Sequence, residues 1–279
     1  MSSWLSGCLV TTSLGAVAGT APLRYRDVVF PNFTITHDLQ YGSAPDLNNQ
    51  PIALKLDLYQ PTGDTIAQRP AIVEVHGGGF VGGDKGDEGN IADPLVQRGF
   101  VVVTINYRLL SSGCTGSNLT PECLNAAAAG INDGQAAVRW LRANATTYRI
   151  DPNRVSIEGF SAGAIIATGV GVTWATPGTS GNPGYSSKVD GWVSISGGLP
   201  GGELVGPGDP AGYLFSGTAD TTVPYQWSVD TANALDKAGS LAVLDTEQGV
   251  GHELPDATVL IDQTTSFYWL VMDLSHAAT

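Results

Sequence analysis

The chain has 279 residues, 42% of them hydrophobic and 14% charged, enough for one large buried core and too apolar for wholesale disorder. Its formal charge of −13 comes from acidic residues spread along the chain, which excludes nucleic acid, anionic membranes and polyanionic substrates as partners. A neutral ligand is electrostatically easier to admit.

The first charged side chain is Arg24, and residues 4–19 are mostly small or apolar. Ala16-Val17-Ala18 and Gly19-Thr20-Ala21 offer small residues at signal-cleavage spacing, and Leu5-Ser6-Gly7-Cys8 resembles a lipobox with Cys8 as the lipidated residue. No Lys or Arg precedes the apolar part, so a disordered leader is the third reading. The run is too short and glycine-rich for a membrane span. This divides the chain into a leader over 1–21 and one domain over 22–279, exported to the outside or the periplasm and optionally lipid-anchored.

An early strand is expected over Asp27 to Thr36. Ile52, Leu54, Leu56 and Leu58 alternate with Ala53, Lys55, Asp57 and Tyr59, which predicts a strand with one buried face. Unalternated apolar runs follow at Ala71–Val75, Phe100–Ile105, Val155–Ile157, Trp192–Ile195, Tyr213–Phe215 and Leu241–Leu244, as in strands covered on both faces. Helical patterns lie between them, at Asn125–Ala145, Trp227–Ala238 and Asp256–Met272. Alternating strands and helices from Ala71 onward imply right-handed βαβ units and an α/β fold, a mostly parallel doubly wound sheet flanked by helices. Thr176–Ser187 and Gly197–Gly212 are Gly/Pro-rich and read as surface loops.

Cys114 and Cys123 enclose a polar Gly/Ser/Asn/Pro loop with no His nearby, so they read as a disulfide in preference to metal ligands, with two free cysteines as the alternative. A ring that short contributes roughly 2–3 kcal/mol in the loop-entropy model. The sequons at Asn32, Asn118 and Asn144 are adequately explained by chance.

The chemistry concentrates in two glycine-rich stretches. Gly159-Phe160-Ser161-Ala162-Gly163 lies between a predicted strand and a predicted helix, where a serine on a sharp turn holds its hydroxyl out. Upstream stands His76-Gly77-Gly78-Gly79-Phe80, whose glycines let backbone N–H groups approach an oxyanion without a Cβ in the way. A serine hydroxyl needs a base, and a base needs an orienting group. Asp220 follows the strand at Tyr213–Phe215, and His252 lies on the loop Gly249-Val250-Gly251-His252 after Leu241–Leu244. Both loops leave the carboxyl ends of strands, where open α/β sheets bind ligands. Asp209 and Asp256 are weaker substitutes for Asp220. His37 precedes the predicted sheet and His276 is in the tail. His76 reads as a brace for its own loop, and Asp133, Arg154 and Lys85 as structural polar contacts.

With the order Ser, Asp, His and these two motifs, the chain from Ile52 onward resembles the α/β-hydrolase carboxylesterases that carry an HGGG loop, those similar to hormone-sensitive lipase, and secreted feruloyl and acetyl-xylan esterases. The resemblance implies an α/β-hydrolase fold and cofactor-free, metal-free hydrolysis of a neutral ester. By the same resemblance Ser161 is the nucleophile, His252 the general base and acid, and Asp220 the orienting carboxylate. Gly78, Gly79 and Ala162 supply the oxyanion N–H groups. Phe80, Phe160, Tyr225 and Trp227 neighbour these segments, as pocket walls or as core. Phe160 stands where relatives of hormone-sensitive lipase usually carry Asp, and the short Gly197–Gly212 loop leaves no room for helices. Little or no cap is therefore expected, with an open cleft suited to esters on bulky carriers such as decorated xylan, feruloylated polysaccharide or polyester. A serine peptidase and a non-catalytic binding protein on the same fold are the competing readings.

Overall fold

The computed structural model describes residues 21–111, 114 and 119–276. Residues 1–20, which hold nearly all of the leader including Cys8, lie outside them, as do Asn118 and the tail 277–279.

The described residues form one eight-stranded sheet in the order β1-β2-β4-β3-β5-β6-β7-β8. Strands β1 (Phe33–Pro45), β2 (Pro51–Pro61) and β4 (Val101–Ile105) are joined antiparallel, with β2 in the middle. From β4 across β3 (Arg69–Val75), β5 (Ile150–Phe160), β6 (Gly191–Ile195), β7 (Ala211–Gly217) and β8 (Ala242–Glu247) every pairing is parallel. The inner parallel strands β3, β4 and β6 are buried at every residue, as their unalternated apolar sequences require.

Helices cover both faces. One core joins the sheet to α2 (Pro121–Ala143), α4 (Ala162–Thr173) and α5 (Tyr225–Ala238) through residues such as Val138, Leu141, Ile166 and Leu235. The other joins it to α1 (Gly89–Gln97) and α6 (Ala257–Val271) through Leu95, Val96, Leu260 and Tyr268. A single turn, α3 (Ala145–Tyr148), links α2 to β5.

Several sequence expectations are corrected. The first strand starts at Phe33, so Asp27–Asn32 lie outside it, and His37 is a residue of the sheet instead of preceding it. Strand β2 alternates only in its first half; Leu56–Tyr59 are buried on both faces because β4 pairs with them. Strand β8 is half-buried throughout, since it is the sheet's edge and pairs on one side only. Helix α2 begins four residues before Asn125, with Thr120 accepting from Cys123 N–H as its cap. The 176–187 segment is a surface loop, as expected, and it is pinned to the body of the fold. Arg139 donates to the Gly178 and Gly181 carbonyls and to Ser187 Oγ, and buried Asp133 holds both Arg108 and Ser180.

Candidate active site

The turn after β5 is built by close approach. A Cβ on Gly163 would stand 2.0 Å from the Val75 carbonyl oxygen, and one on Gly159 would stand 2.6 Å from Gly163 carbonyl atoms. Only glycine lets the first turn of α4 press against β3 and β5 this tightly. Ser161 pays in conformation: it has φ 56° and ψ −116°, a left-handed backbone that non-glycine residues rarely adopt. Its N–H donates to the Ile195 carbonyl at 2.9 Å, which anchors the turn to β6.

The side chains of the predicted triad meet at the carboxyl edge of the sheet. Ser161 Oγ lies 2.8 Å from His252 Nε2, and His252 Nδ1 lies 2.7 Å from Asp220 Oδ2. Asp220 follows β7 and its side chain is fully buried. Its second oxygen accepts from Thr222 N–H at 2.8 Å and Val223 N–H at 2.9 Å, so the loop's own backbone orients it. An Nδ1–H donated to Asp220 leaves Nε2 with its lone pair toward the serine hydroxyl, the tautomer that can accept a proton. The Phe160 ring packs 5.1 Å from the imidazole and limits its rotation. The substitutes for Asp220 are engaged elsewhere: Asp209 accepts from Trp174 Nε1 and Gly206 N–H, and Asp256 caps α6.

The loop after β3 lies against this turn. A Cβ on Gly77 would stand 3.4 Å from Ser161 Cβ. Gly78, Gly79 and Phe80 follow one another at φ 109°, 61° and 63°. Gly78 has no space for a side chain either, its Cβ position being 2.2 Å from the Gly82 carbonyl. Ala162 opens α4, so its N–H is one of the helix-end donors that have no acceptor within the helix. His76 braces the loop, as expected: Nδ1–H donates to the Gly77 carbonyl at 2.7 Å, and burial pushes the imidazole below its ordinary range and keeps it neutral.

Sequence reasoning missed Tyr107. Its ring stacks 4.4 Å from His76, and its hydroxyl donates to the carbonyls of His76 at 3.0 Å and Gly77 at 3.2 Å. Burial raises its pKa, so it remains a donor. Tyr107 lies 30 residues from Gly77, just past β4, and no local pattern distinguishes it.

Beside the elbow is a cavity of about 300 Å³ with apolar walls from Phe80, Leu124, Ile131, Ile165, Leu204 and Trp227, and one carboxyl, Glu203. Phe80 and Trp227 both line this cavity. Phe160 does not line it, having turned to His252. Nor does Tyr225: its hydroxyl pairs with Thr246 Oγ1 at 2.9 Å on β8, which draws the side chain toward the sheet edge. The cavity wall also includes Cys114 and Cys123, which are joined by a disulfide. Between β6 and β7 the sole helical element is a short turn at Pro200–Gly202, so the described residues carry no helical cap there. Among the described residues no three His, Cys, Asp or Glu side chains converge on a possible metal position, and no helix is long and apolar enough to cross a membrane.

Known proteins resemble the chain in sequence over part of its length and in fold over most of it. A family model described as BD-FAE matches residues 56–189, from β2 through the elbow. Juvenile hormone esterase of Heliothis virescens is 36% identical over 114 residues, which are 41% of this chain and 20% of that protein. The chain spans about a fifth of the length of the first curated relatives it matches. Among solved structures, a truncated carbohydrate esterase from gut microbiota superposes with a TM-score of 0.70 at 24% identity, covering 86% of this chain and 96% of that one. A thermophilic esterase of Thermogutta terrifontis with propionate bound gives 0.69 at 22% identity, covering 84% and 93%. In its fold the chain is similar to these solved esterases.

Proposed function

We propose that the protein hydrolyses carboxylic esters through an acyl-enzyme. Ser161 Oγ attacks the ester carbonyl while His252 Nε2 takes its proton. The tetrahedral oxyanion is held by N–H groups of Gly78, Gly79 and Ala162. The C–O bond to the alcohol then breaks, and His252 returns the proton to the leaving oxygen. A water, deprotonated by His252, attacks the acyl-enzyme, and the acid leaves as Ser161 regains its proton. Asp220 keeps the imidazole in the accepting tautomer and stabilises the imidazolium. The observation that carries this reading is the unbroken Ser161–His252–Asp220 chain at 2.8 and 2.7 Å.

The formal charge of −13 and the apolar cavity favour a neutral ester. The edge of the sheet, which carries no helical cap between β6 and β7 among the described residues, and the likeness to a carbohydrate esterase support an alcohol side carried on a bulky polymer, such as an acylated polysaccharide or a polyester. The Cys114–Cys123 disulfide supports export to an oxidising compartment. We read residues 22–279 as one catalytic domain.

The test is Ser161→Ala against the native protein, with p-nitrophenyl acetate as substrate and a fluorophosphonate probe as label. The native protein should turn over the ester and take the label, and the variant should do neither. A native protein that binds esters without taking the label would be a binding protein on this fold, and amide cleavage exceeding ester cleavage would make it a peptidase.

A further inference from the structure

The disulfide has a second position in the molecule besides closing its own ring. Cys123 lies in the first turn of α2, the helix that carries Leu124 and Ile131 into the apolar cavity. Cys114 lies against the oxyanion loop: its carbonyl oxygen is 3.0 Å from where a Cβ on Gly79 would stand. The same segment is pinned to that loop by Leu110 N–H, which donates to the Phe80 carbonyl at 2.7 Å. The S–S bond therefore ties the cavity-bearing end of α2 to the loop that begins at His76. Both cysteines line the cavity, and Leu119, Leu124 and Leu204 form an exposed apolar rim around it.

The cavity also has a side. In ester cleavage the leaving alcohol takes its proton from His252, so the alcohol must lie toward the 249–254 loop. No residue of that loop lines the cavity, which is walled by the Phe80 loop, α2, α4, the Leu199–Leu204 turn and the start of α5. Ile165, one turn along α4 from Ser161, reaches it directly. The group that stays on Ser161 is the acyl group.

We propose that the Cys114–Cys123 disulfide is a specificity-determining wall, shaping the apolar cavity beside Ser161 to accept an uncharged acyl arm longer than acetyl. The proposal rests on the ester-hydrolase reading. An acyl chain of about six carbons or a small aromatic acid suits a cavity at the small end of the ligand-pocket range of roughly 300–1,000 Å³. An anionic arm would lose its hydration and meet the Glu203 carboxyl, the one ionisable neighbour in the wall.

The experiment compares p-nitrophenyl hexanoate with p-nitrophenyl acetate in the native protein and in Cys114→Ala/Cys123→Ala. Native kcat/KM should favour hexanoate. In the folded double variant the hexanoate-to-acetate ratio of kcat/KM should fall about tenfold, as burial of the added methylenes is lost. An unchanged ratio in a folded variant overturns the proposal.

A second measurement needs no variant. Ser161 is first labelled with p-nitrophenyl hexylphosphonate or with its methylphosphonate counterpart, nitrophenolate leaving as the P–O bond to serine forms. The disulfide is then reduced with dithiothreitol, which delivers two electrons and two protons, yields two thiols and closes its own disulfide. Thiols are counted by alkylation and mass. The hexyl arm should slow reduction at least about fivefold relative to methyl. Equal rates overturn the wall, whereas failure of either phosphonate to label overturns the ester-hydrolase reading itself.

Discussion

The molecule holds two histidine–aspartate pairs of nearly equal geometry. His252 Nδ1 lies 2.7 Å from Asp220, and His37 Nδ1 lies 2.8 Å from Asp57. The His37 pair belongs to the antiparallel end, on β1 and β2, with the histidine side chain 62% exposed. Burial works to raise the Asp57 carboxyl, but the Asp38 N–H, His37 and Lys85 outweigh it and hold the group below the usual carboxylate range. Lys85 stands 3.0 Å from it, so Asp57 serves an ion cluster. Among the described residues Asp57 is the one hydrogen-bond partner of His37. Both carboxyls are buried, but the far nitrogen of His252 meets a serine held at φ 56°. A His–Asp contact is thus not a site in itself. The strained elbow and the carboxyl edge of a parallel sheet make the second pair the candidate one.

The sharpest way to break this comparison is to disable each pair in turn. Asp220→Asn should lower kcat by about 10⁴-fold, because an amide no longer selects the accepting tautomer of His252. His37→Ala should leave ester hydrolysis within about twofold of native. Steady-state rates on p-nitrophenyl acetate decide it, and equal losses in the two variants would remove the distinction.

A smaller effect probes the loop beside the elbow. Tyr107→Phe keeps the ring that stacks on His76 and deletes the hydroxyl that donates to the His76 and Gly77 carbonyls. The N–H groups of Gly78 and Gly79 then lose a support, not a member. We expect kcat to fall about tenfold with KM nearly unchanged, and stability to drop by about 1–2 kcal/mol for the buried acceptors left behind. A variant with reduced stability and native kcat would confine Tyr107 to packing.

Tyr107 also marks where sequence reasoning ran out. The elbow was legible because strand, tight turn and helix are encoded within Val155–Ala167, and the glycines that flank Ser161 answer to contacts a short segment specifies. Asp220 and His252 were legible because each follows an apolar strand run at the edge where parallel strands end. Contacts between distant segments were not. Tyr107 reaches back to β3, α2 brings its first turn to the cavity, and Tyr225 turns away from that cavity because Thr246 offers its hydroxyl a partner. Burial at the margins was misjudged for a related reason. Nothing in Leu241–Leu244 says that no ninth strand follows, so β8 reads as an interior strand although it is an edge.

The smallest expected effect concerns a carboxyl pair beneath the elbow that contrasts with Asp220. Glu74 on β3 stands opposite Glu158 on β5, one residue before Gly159, and both are fully buried. Asp220 accepts three hydrogen bonds. Glu158 accepts from the Tyr268 hydroxyl, and a protonated Glu74 has Glu158 as its hydrogen-bond partner. Burial, reinforced by the negative charge of Glu158 and Glu88, holds Glu74 well above the usual carboxylate range, and burial likewise raises Glu158. Glu88, at the start of α1, is pushed up to about 7 by burial and by Asp87 and Glu158. The folded state therefore keeps protons that the unfolded chain releases above its ordinary glutamate range. The stability these groups contribute is full below that range and is lost as pH rises through their folded values, for Glu88 between the ordinary range and about 7. Glu74→Gln retains the shape and removes the titration. Its melting temperature should match the native protein at pH 5 and exceed it at pH 8 by roughly 3–6 °C, the gain expected from about 1–2 kcal/mol in a domain of this size. Equal destabilisation at both pH values would mean that Glu74 is held by a partner that an amide cannot replace, and the contrast with Asp220 would fail.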